Sequence, residues 1–200
     1  MTHTTARTLA LALTLLTAVA SAGSKQGPKD EQLLANRNAV RYEVAVPDSG
    51  VKAGAARVHV RASLNTVRKA VADLGNYAAF ISKFKKSKVL ARSKKHVDVY
   101  LEVPILKGTA KVWAVVRVTP AKKVGDSEVI VGKMLQGNVE RLEATWRLRS
   151  LGEHSTILDL ELLIVPKIPV PNSLVTGEVA YAADKAVTGL RNRAEALSSG

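Results

Sequence analysis

A period of two runs through most of the chain. Val40, Tyr42, Val44 and Val46 alternate with Arg41, Glu43 and Ala45. After the turn signal Pro47-Asp48-Ser49-Gly50, Ala56, Val58, Val60 and Ala62 alternate with Arg57, His59 and Arg61. The pattern predicts a hairpin with one buried face. Val97, Val99, Leu101 and Val103 predict another strand, ended by Pro104 and Gly108, and Ala110, Val112, Ala114, Val116 and Val118 predict the next. Pro120 to Asp126 reads as a turn, Glu128 to Val131 as a short strand, and Gln136-Gly137 as a further turn. Leu142, Ala144, Trp146 and Leu148, then Leu158, Leu160, Leu162 and Ile164, predict two more strands around a Gly152-Glu153 turn. The opposite phase carries both signs of charge, among them Asp98, Glu102, Lys111, Arg117, Glu143, Arg147, Asp159 and Glu161. Cross-strand ion pairs on a wet face are therefore expected.

The period changes in two places. Ser63 is a good N-cap, and Leu64, Val67, Ala70, Val71 and Leu74 follow at helical spacing until Gly75-Asn76. Tyr77, Phe80 and Ile81 then predict a short helical turn. After Pro166, Pro169 and Pro171, Asn172 or Ser173 caps a long last helix. Its stripe is Val175, Val179, Ala182, Ala186, Leu190 and Ala194. One apolar stripe places this helix across the buried sheet face. The class is α+β: strand pair, helix, antiparallel strands, long C-terminal helix.

The N-terminus is of another kind. Thr8 to Ala20 is an apolar run too short to span a bilayer, preceded by Arg7 and followed by the small residues Ala20-Ser21-Ala22. Residues 1–22 are read as a signal peptide, residues 23–53 as an extension carrying an added strand, and residues 54–197 as the main domain. The mature chain would begin near Gly23, exported to a periplasm or the medium.

Composition narrows the chemistry. With 200 residues there is room for one domain and scarcely for two. No Cys is present, which excludes disulfide scaffolds, Cys-based zinc sites, Cys catalysis and a lipid anchor on an N-terminal Cys. The net charge is +13, but aromatic residues are only 4%. That is thin for stacking single-stranded bases, and export argues further against nucleic acid. A monomer is expected.

The run Val67-Arg68-Lys69-Ala70-Val71-Ala72-Asp73-Leu74-Gly75-Asn76-Tyr77-Ala78-Ala79-Phe80-Ile81 resembles the V-W-x-V-L-x-D-x-x-x-Y-x-x-F-I/L-P signature of the START-like (SRPBCC) superfamily, which includes the polyketide cyclase/dehydrase and coenzyme Q-binding branches. Arg68 stands where Trp is usual and Ser82 where Pro is usual. The resemblance implies a helix-grip fold, a curved antiparallel sheet wrapped around the long C-terminal helix with a ligand cavity between them. The inward strand phase and the helix stripe would line it: Val112, Ala114, Val116, Leu142, Ala144, Trp146, Leu160, Leu162, Val179, Ala182 and Ala186, with Tyr77 and Phe80 at one end. Small side chains on facing elements leave volume for a ligand. The alternative is an ordinary Val/Ala core packed to native density.

Three readings of function follow. The first is a carrier of an apolar ligand, such as a lipid, sterol or isoprenoid, without a cofactor. The second is a small cyclase or isomerase. Asn138 and Glu140 share the phase of Leu142 and Ala144, and point inward if their strand extends back to residue 138. A carboxyl in an apolar cavity has a raised pKa and can act as acid or base. The third is an interaction module with a vestigial cavity. No Gly-x-Ser-x-Gly elbow or phosphate loop appears, and no His has a second ligand at metal spacing. Finally, Lys83, Lys85, Lys86, Lys88, Arg92, Lys94 and Lys95 form a basic run with Phe84 inside it. Beside a lipid-sized cavity, Lys83, Phe84, Lys85, Lys86 and Lys88 suggest docking on an anionic membrane, at about 1 kcal/mol per basic residue.

Overall fold

The computed structural model describes residues 27–36, 38–47, 49–105 and 110–199. Residues 1–22, read above as a signal peptide, Asp48 of the first turn and the Gly108 turn lie outside them. The elements are α1 (Asp30–Ala35), β1 (Val40–Val44), β2 (Ala53–Val60), α2 (Leu64–Ala72), α3 (Tyr77–Phe80), β3 (Lys86–Arg92), β4 (Val97–Ile105), β5 (Ala110–Val118), β6 (Lys122–Val124), β7 (Ser127–Gly137), β8 (Arg141–Gly152), β9 (Ser155–Val165) and α4 (Asn172–Ser198). Among the described residues, nine strands form one antiparallel sheet in the order β1-β2-β9-β8-β7-β5-β4-β3, with the short β6 paired to β7. The sheet curves around α4, so the helix-grip architecture expected from the resemblance is the one observed.

The predicted hairpin is β1 and β2, with Val40 opposite Arg57 and Val44 opposite Ala53. Two expectations about strand extent change. The stretch read as a short strand at Glu128 to Val131 belongs to β7, eleven residues long. The Pro120 to Asp126 turn contains β6, and Gly125 makes the tight reversal at φ 63°, a left-handed conformation that favours glycine.

Local chemistry sets the helices. The Ser63 hydroxyl accepts from the Thr66 amide at 3.2 Å and starts α2, a cap worth about 1 kcal/mol. At α2's other end the chain makes one 3-10 turn over Leu74–Asn76 and passes straight into α3. Tyr77 is buried there, and its hydroxyl donates to the Val71 carbonyl at 2.6 Å. The N-cap of α4 is Pro171, and the Asn172 amide group reaches across to the Gly50 carbonyl at 2.7 Å instead of capping. The expected Asn172 or Ser173 cap is therefore replaced by a tie between α4 and the loop before β2.

α4 packs chiefly against β2, β9 and α2. Glycine makes this close: a Cβ on Gly54 would stand 2.2 Å from the Ala180 amide nitrogen, and one on Gly189 would stand 2.6 Å from the Phe80 carbonyl. The helix buries more than the predicted stripe. Val179, Ala186, Leu190 and Ala194 are buried, but so are Thr176, Ala180, Ala183, Val187 and Gly189. The additional face is the one laid on β2, and its small residues are what allow the approach.

The outer sheet face carries the predicted cross-strand pairs. Arg117 forks onto Asp98 with two bonds of 2.8 Å, Arg147 meets Glu161 at 2.7 Å and Lys111 meets Glu102 at 3.5 Å. That face is drier than alternation implies. α1 lies over β2, Leu33 is buried, and Arg149 holds Asp30 at 2.5 Å. Asp159 is only 2% exposed and accepts from both Tyr42 and Arg57. His59 is half-buried, with Nε2 2.9 Å from the Ser155 hydroxyl; burial first, then the nearby Arg61, lowers its pKa.

Candidate ligand cavity

Because α4 sits on the β2 and β9 side, the concave face of β4, β5, β7 and β8 is left uncovered. The space between is a cavity of about 450 Å³. Of the residues expected on its wall, Val112, Ala114 and Val116 of β5, Leu142, Ala144 and Trp146 of β8, and Leu160 and Leu162 of β9 are there. So are Val179, Ala182 and Ala186 of α4, Tyr77 of α3, and Asn138. Gly132 of β7 lies against the wall side chains and lets them pack over it. A Cβ there would come within 3.0 Å of the Val116 side chain and 3.4 Å of the Trp146 ring.

Two expected wall residues are elsewhere. Phe80 does not line the cavity. Its ring stands edge-on to Tyr77, with centroids 5.6 Å apart, and the Arg193 guanidinium lies 5.8 Å from it. The C-cap Ile81 is extended, which turns the chain so that Phe84 takes the wall position instead, also edge-on to Tyr77 at 5.6 Å. Glu140 is exposed and does not line the cavity. β7 ends at Gly137 and β8 begins at Arg141, so Asn138 to Glu140 form a connection in which strand phase does not hold. Val139 is buried there, and the Glu140 amide bonds the Val165 carbonyl at 2.8 Å. The inward acid/base expected at Glu140 is thus corrected. Asn138 extends the strand pairing with its side chain, donating to the Lys111 carbonyl at 2.8 Å and accepting from the Trp113 amide at 2.9 Å.

The wall also holds residues beyond those expected on it. Leu101, Val103 and Ile105 of β4 share the inward phase, and Val175 and Leu190 belong to the helix stripe. Pro166, Lys167, Ile168 and Val170 come from the proline loop, where no period operates. Apart from the Tyr77 and Trp146 rings, the polar wall residues are Lys83, Lys111, Asn138, Lys167 and Glu178. Lys111, Asn138, Lys167 and Glu178 are exposed and mark the opening, beside Ile168 and Leu174, which are 68% and 49% exposed. Among the described residues no group of three or more His, Asp or Glu could hold a metal ion.

The basic run divides. Lys86 and Lys88 project from β3, an edge strand, where charge also deters edge-to-edge pairing. Lys85 is exposed, and Lys86 lies 3.7 Å from Glu102 of β4. Lys83 is half-buried, lines the cavity with its stem and holds its ammonium 4.6 Å above the Tyr181 ring. Phe84 faces inward, which corrects its expected role as a ring inserted into a membrane.

Residues 60–190 match the family model described as polyketide cyclase/dehydrase and lipid transport. The chain belongs to that family. The match spans α2 to most of α4 and so includes nearly the whole cavity wall. No curated protein is significantly similar in sequence. Solved structures share the fold. A START superfamily protein from Mycobacterium smegmatis is 24% identical, with TM-score 0.61, covering 72% of this chain and 97% of its own. A STAR-related lipid transfer protein from Xanthomonas axonopodis is 15% identical, with TM-score 0.67, covering 80% and 94%. The Zhui aromatase/cyclase from a Streptomyces species is 18% identical, with TM-score 0.53, covering 81% and 94%. Family membership bears out the START-like resemblance. The departure at Arg68 has a local reason: its guanidinium forks onto Glu128 of β7 at 2.5 and 2.6 Å, a tie that an indole could not make.

Proposed function

We propose that this protein is an exported carrier that holds an apolar molecule in the cavity and shields it from water. The observation that carries the reading is the wall itself: a mainly apolar interior of about 450 Å³ whose charged groups, the half-buried Lys83 apart, gather at the opening. Burying a ligand there is worth about 25 cal/mol per Å² of apolar surface removed from water. The family's description includes lipid transport, and the Xanthomonas structure is titled a lipid transfer protein. The loop from Pro166 to Pro171 borders the opening and serves as the gate. Lys85, Lys86 and Lys88, with Lys167 and the exposed Ile168 and Leu174 at the rim, make the face that meets an anionic membrane. Export rests on the leader sequence. The carrier is preferred to a cyclase because Glu140 is outside the cavity.

Native mass spectrometry of protein gently purified from the cell envelope and medium tests this. The expected species is a chain starting near Gly23 with a noncovalent apolar adduct. Ala114→Trp, which fills the cavity, is expected to lose the adduct and keep a cooperative melt. A cytoplasmic chain retaining Met1 would sink export, and an adduct that survives Ala114→Trp would sink the cavity as its seat.

A further inference from the structure

Cations gather around one tyrosine ring on α4, beside the cavity. The Lys83 ammonium stands 4.6 Å from the centroid of the Tyr181 ring, the Lys185 ammonium 5.1 Å and the Arg41 guanidinium 5.9 Å. Three elements bring them together. Tyr181 and Lys185 are four residues apart on α4, which makes them neighbours on its surface. α4 touches both β1, which carries Arg41, and α3, which Lys83 closely follows.

The cluster is short of acid. On the sheet, Arg57 is paired with Asp159, Arg117 with Asp98 and Arg147 with Glu161. Here Asp184 is the one carboxylate that meets a member of the cluster among the described residues. Its Oδ2 lies 3.6 Å from Arg41 Nε, and its Oδ1 accepts from the Thr188 hydroxyl at 3.2 Å. Lys83 and Lys185 are half-buried, and neither has a carboxylate partner among the described residues. Glu178, three residues before Tyr181, pairs with neither. The Tyr181 hydroxyl likewise has no hydrogen-bond partner among them. The ring attracts each cation singly, but like charges drawn to one ring repel one another.

We infer that this cluster binds a phosphate group, as free phosphate or as a phosphate monoester, through the Lys83 and Lys185 ammonium groups and the Tyr181 hydroxyl, with Arg41 beside them. A phosphate monoester carries about −1.5 to −2 charges at neutral pH and three acceptor oxygens. Three cations less Asp184 leave two positive charges, and the two ammonium groups and the hydroxyl are three unclaimed sources of donors. A carboxylate would neutralise only one of those charges. Lysine bonds to phosphate are charge-assisted, and flexible stems let both ammonium groups turn from the ring to the anion. The inference does not depend on the carrier reading, but meets it at Lys83, whose stem lies on the cavity wall. Two sources offer the same chemistry: a free phosphate, or the head of an amphiphile whose chain enters the cavity past Lys83.

The chain has four tyrosines, so labelling with 3-fluorotyrosine gives four ¹⁹F resonances, of which Tyr181→Phe assigns one. The probes are inorganic phosphate, octyl phosphate and 1-octanol. Both phosphates are expected to shift the Tyr181 resonance to saturation. Lys83→Gln with Lys185→Gln is expected to lower octyl phosphate affinity at least about 10-fold. The control removes the same charge from the exposed strand β6: Lys122→Gln with Lys123→Gln is expected to lower it less than about 2-fold, because salt screens distant surface charges. Octyl phosphate binding no tighter than inorganic phosphate assigns the site to the free anion. Tighter binding that Ala114→Trp abolishes assigns it to an amphiphile's head. If neither phosphate moves the Tyr181 resonance, or if the two double variants lose affinity equally, the inference is overturned and the carrier reading is untouched. If 1-octanol fails to bind while both phosphates shift Tyr181, the carrier reading falls and the phosphate site stands.

Discussion

The two halves of the concave sheet face use small residues to opposite ends. On one half, Gly54 and Ala56 of β2 face the helix, and their smallness brings α4 into contact with the strand through Ala180 and Ala183. On the other half, Ala114 of β5 and Ala144 of β8 face inward just as directly, but no helix comes down on them, and the space stays open. A small side chain does not by itself create a cavity. It creates one only where the opposing element is held away, and here α4 is held away because it is drawn to β2. The close-packed half acts as the seat that fixes the width of the open half.

The largest effect should come from spoiling that seat. In Gly54→Val the Cβ alone would stand 2.2 Å from the Ala180 amide, so α4 must shift off the strand. A loss of about 3 kcal/mol is expected in urea denaturation. Ala144→Val on the open half should change stability by less than about 1 kcal/mol, since the added methyls enter existing space. Equal losses at the two sites would break the distinction.

Truncation gives a smaller contrast on a single strand. Leu158 of β9 is fully buried in close packing, and Leu158→Ala should cost about 2–4 kcal/mol through the hole it leaves. Leu162, four residues on, already faces the cavity, and Leu162→Ala should cost about 1 kcal/mol by calorimetry.

The smallest effect is electrostatic and belongs to the outer surface of the open half. The bonds from Arg117 hold the Asp98 carboxyl below its usual pKa, and the Tyr100 hydroxyl, then Lys111 and Lys86, do the same for Glu102. A carboxyl held low in the folded state contributes stability that is present above the unfolded value, about 4, and lost as pH falls through the folded value. The melting temperature should thus vary little on account of this pair between about pH 7 and 5, and drop below about pH 4. Asp98→Asn with Glu102→Gln should flatten that acid limb.

How much of the site was legible depends on where a period operates. Ala114, Val116, Leu142, Ala144, Leu160 and Leu162 were found from sequence because alternation binds a strand residue to one face. Glu140 was misplaced by the same rule, carried back beyond the start of β8 at Arg141 into the connection before it. Phe80 was placed on the wall and Phe84 at the membrane, the reverse of their positions toward the cavity, because the extended Ile81 between them decides which ring turns inward. The proline loop gave no periodic signal, although Pro166, Ile168 and Val170 border the opening.

The amino-acid sequence by itself determined α2, α4 and most of the strands, their order, the inward face of each long strand and, through Val67 to Ile81, the family, but not α1, β3, β6 or the full length of β7. These are properties of neighbours along the chain, encoded by spacing. Whether the Ala- and Val-rich interior closes into a core or opens into a cavity was decided only in three dimensions. The outcome depends on how far α4 stands from each strand, and that distance is set by contacts such as Gly54 with Ala180 and Gly189 with Phe80, between residues more than a hundred positions apart.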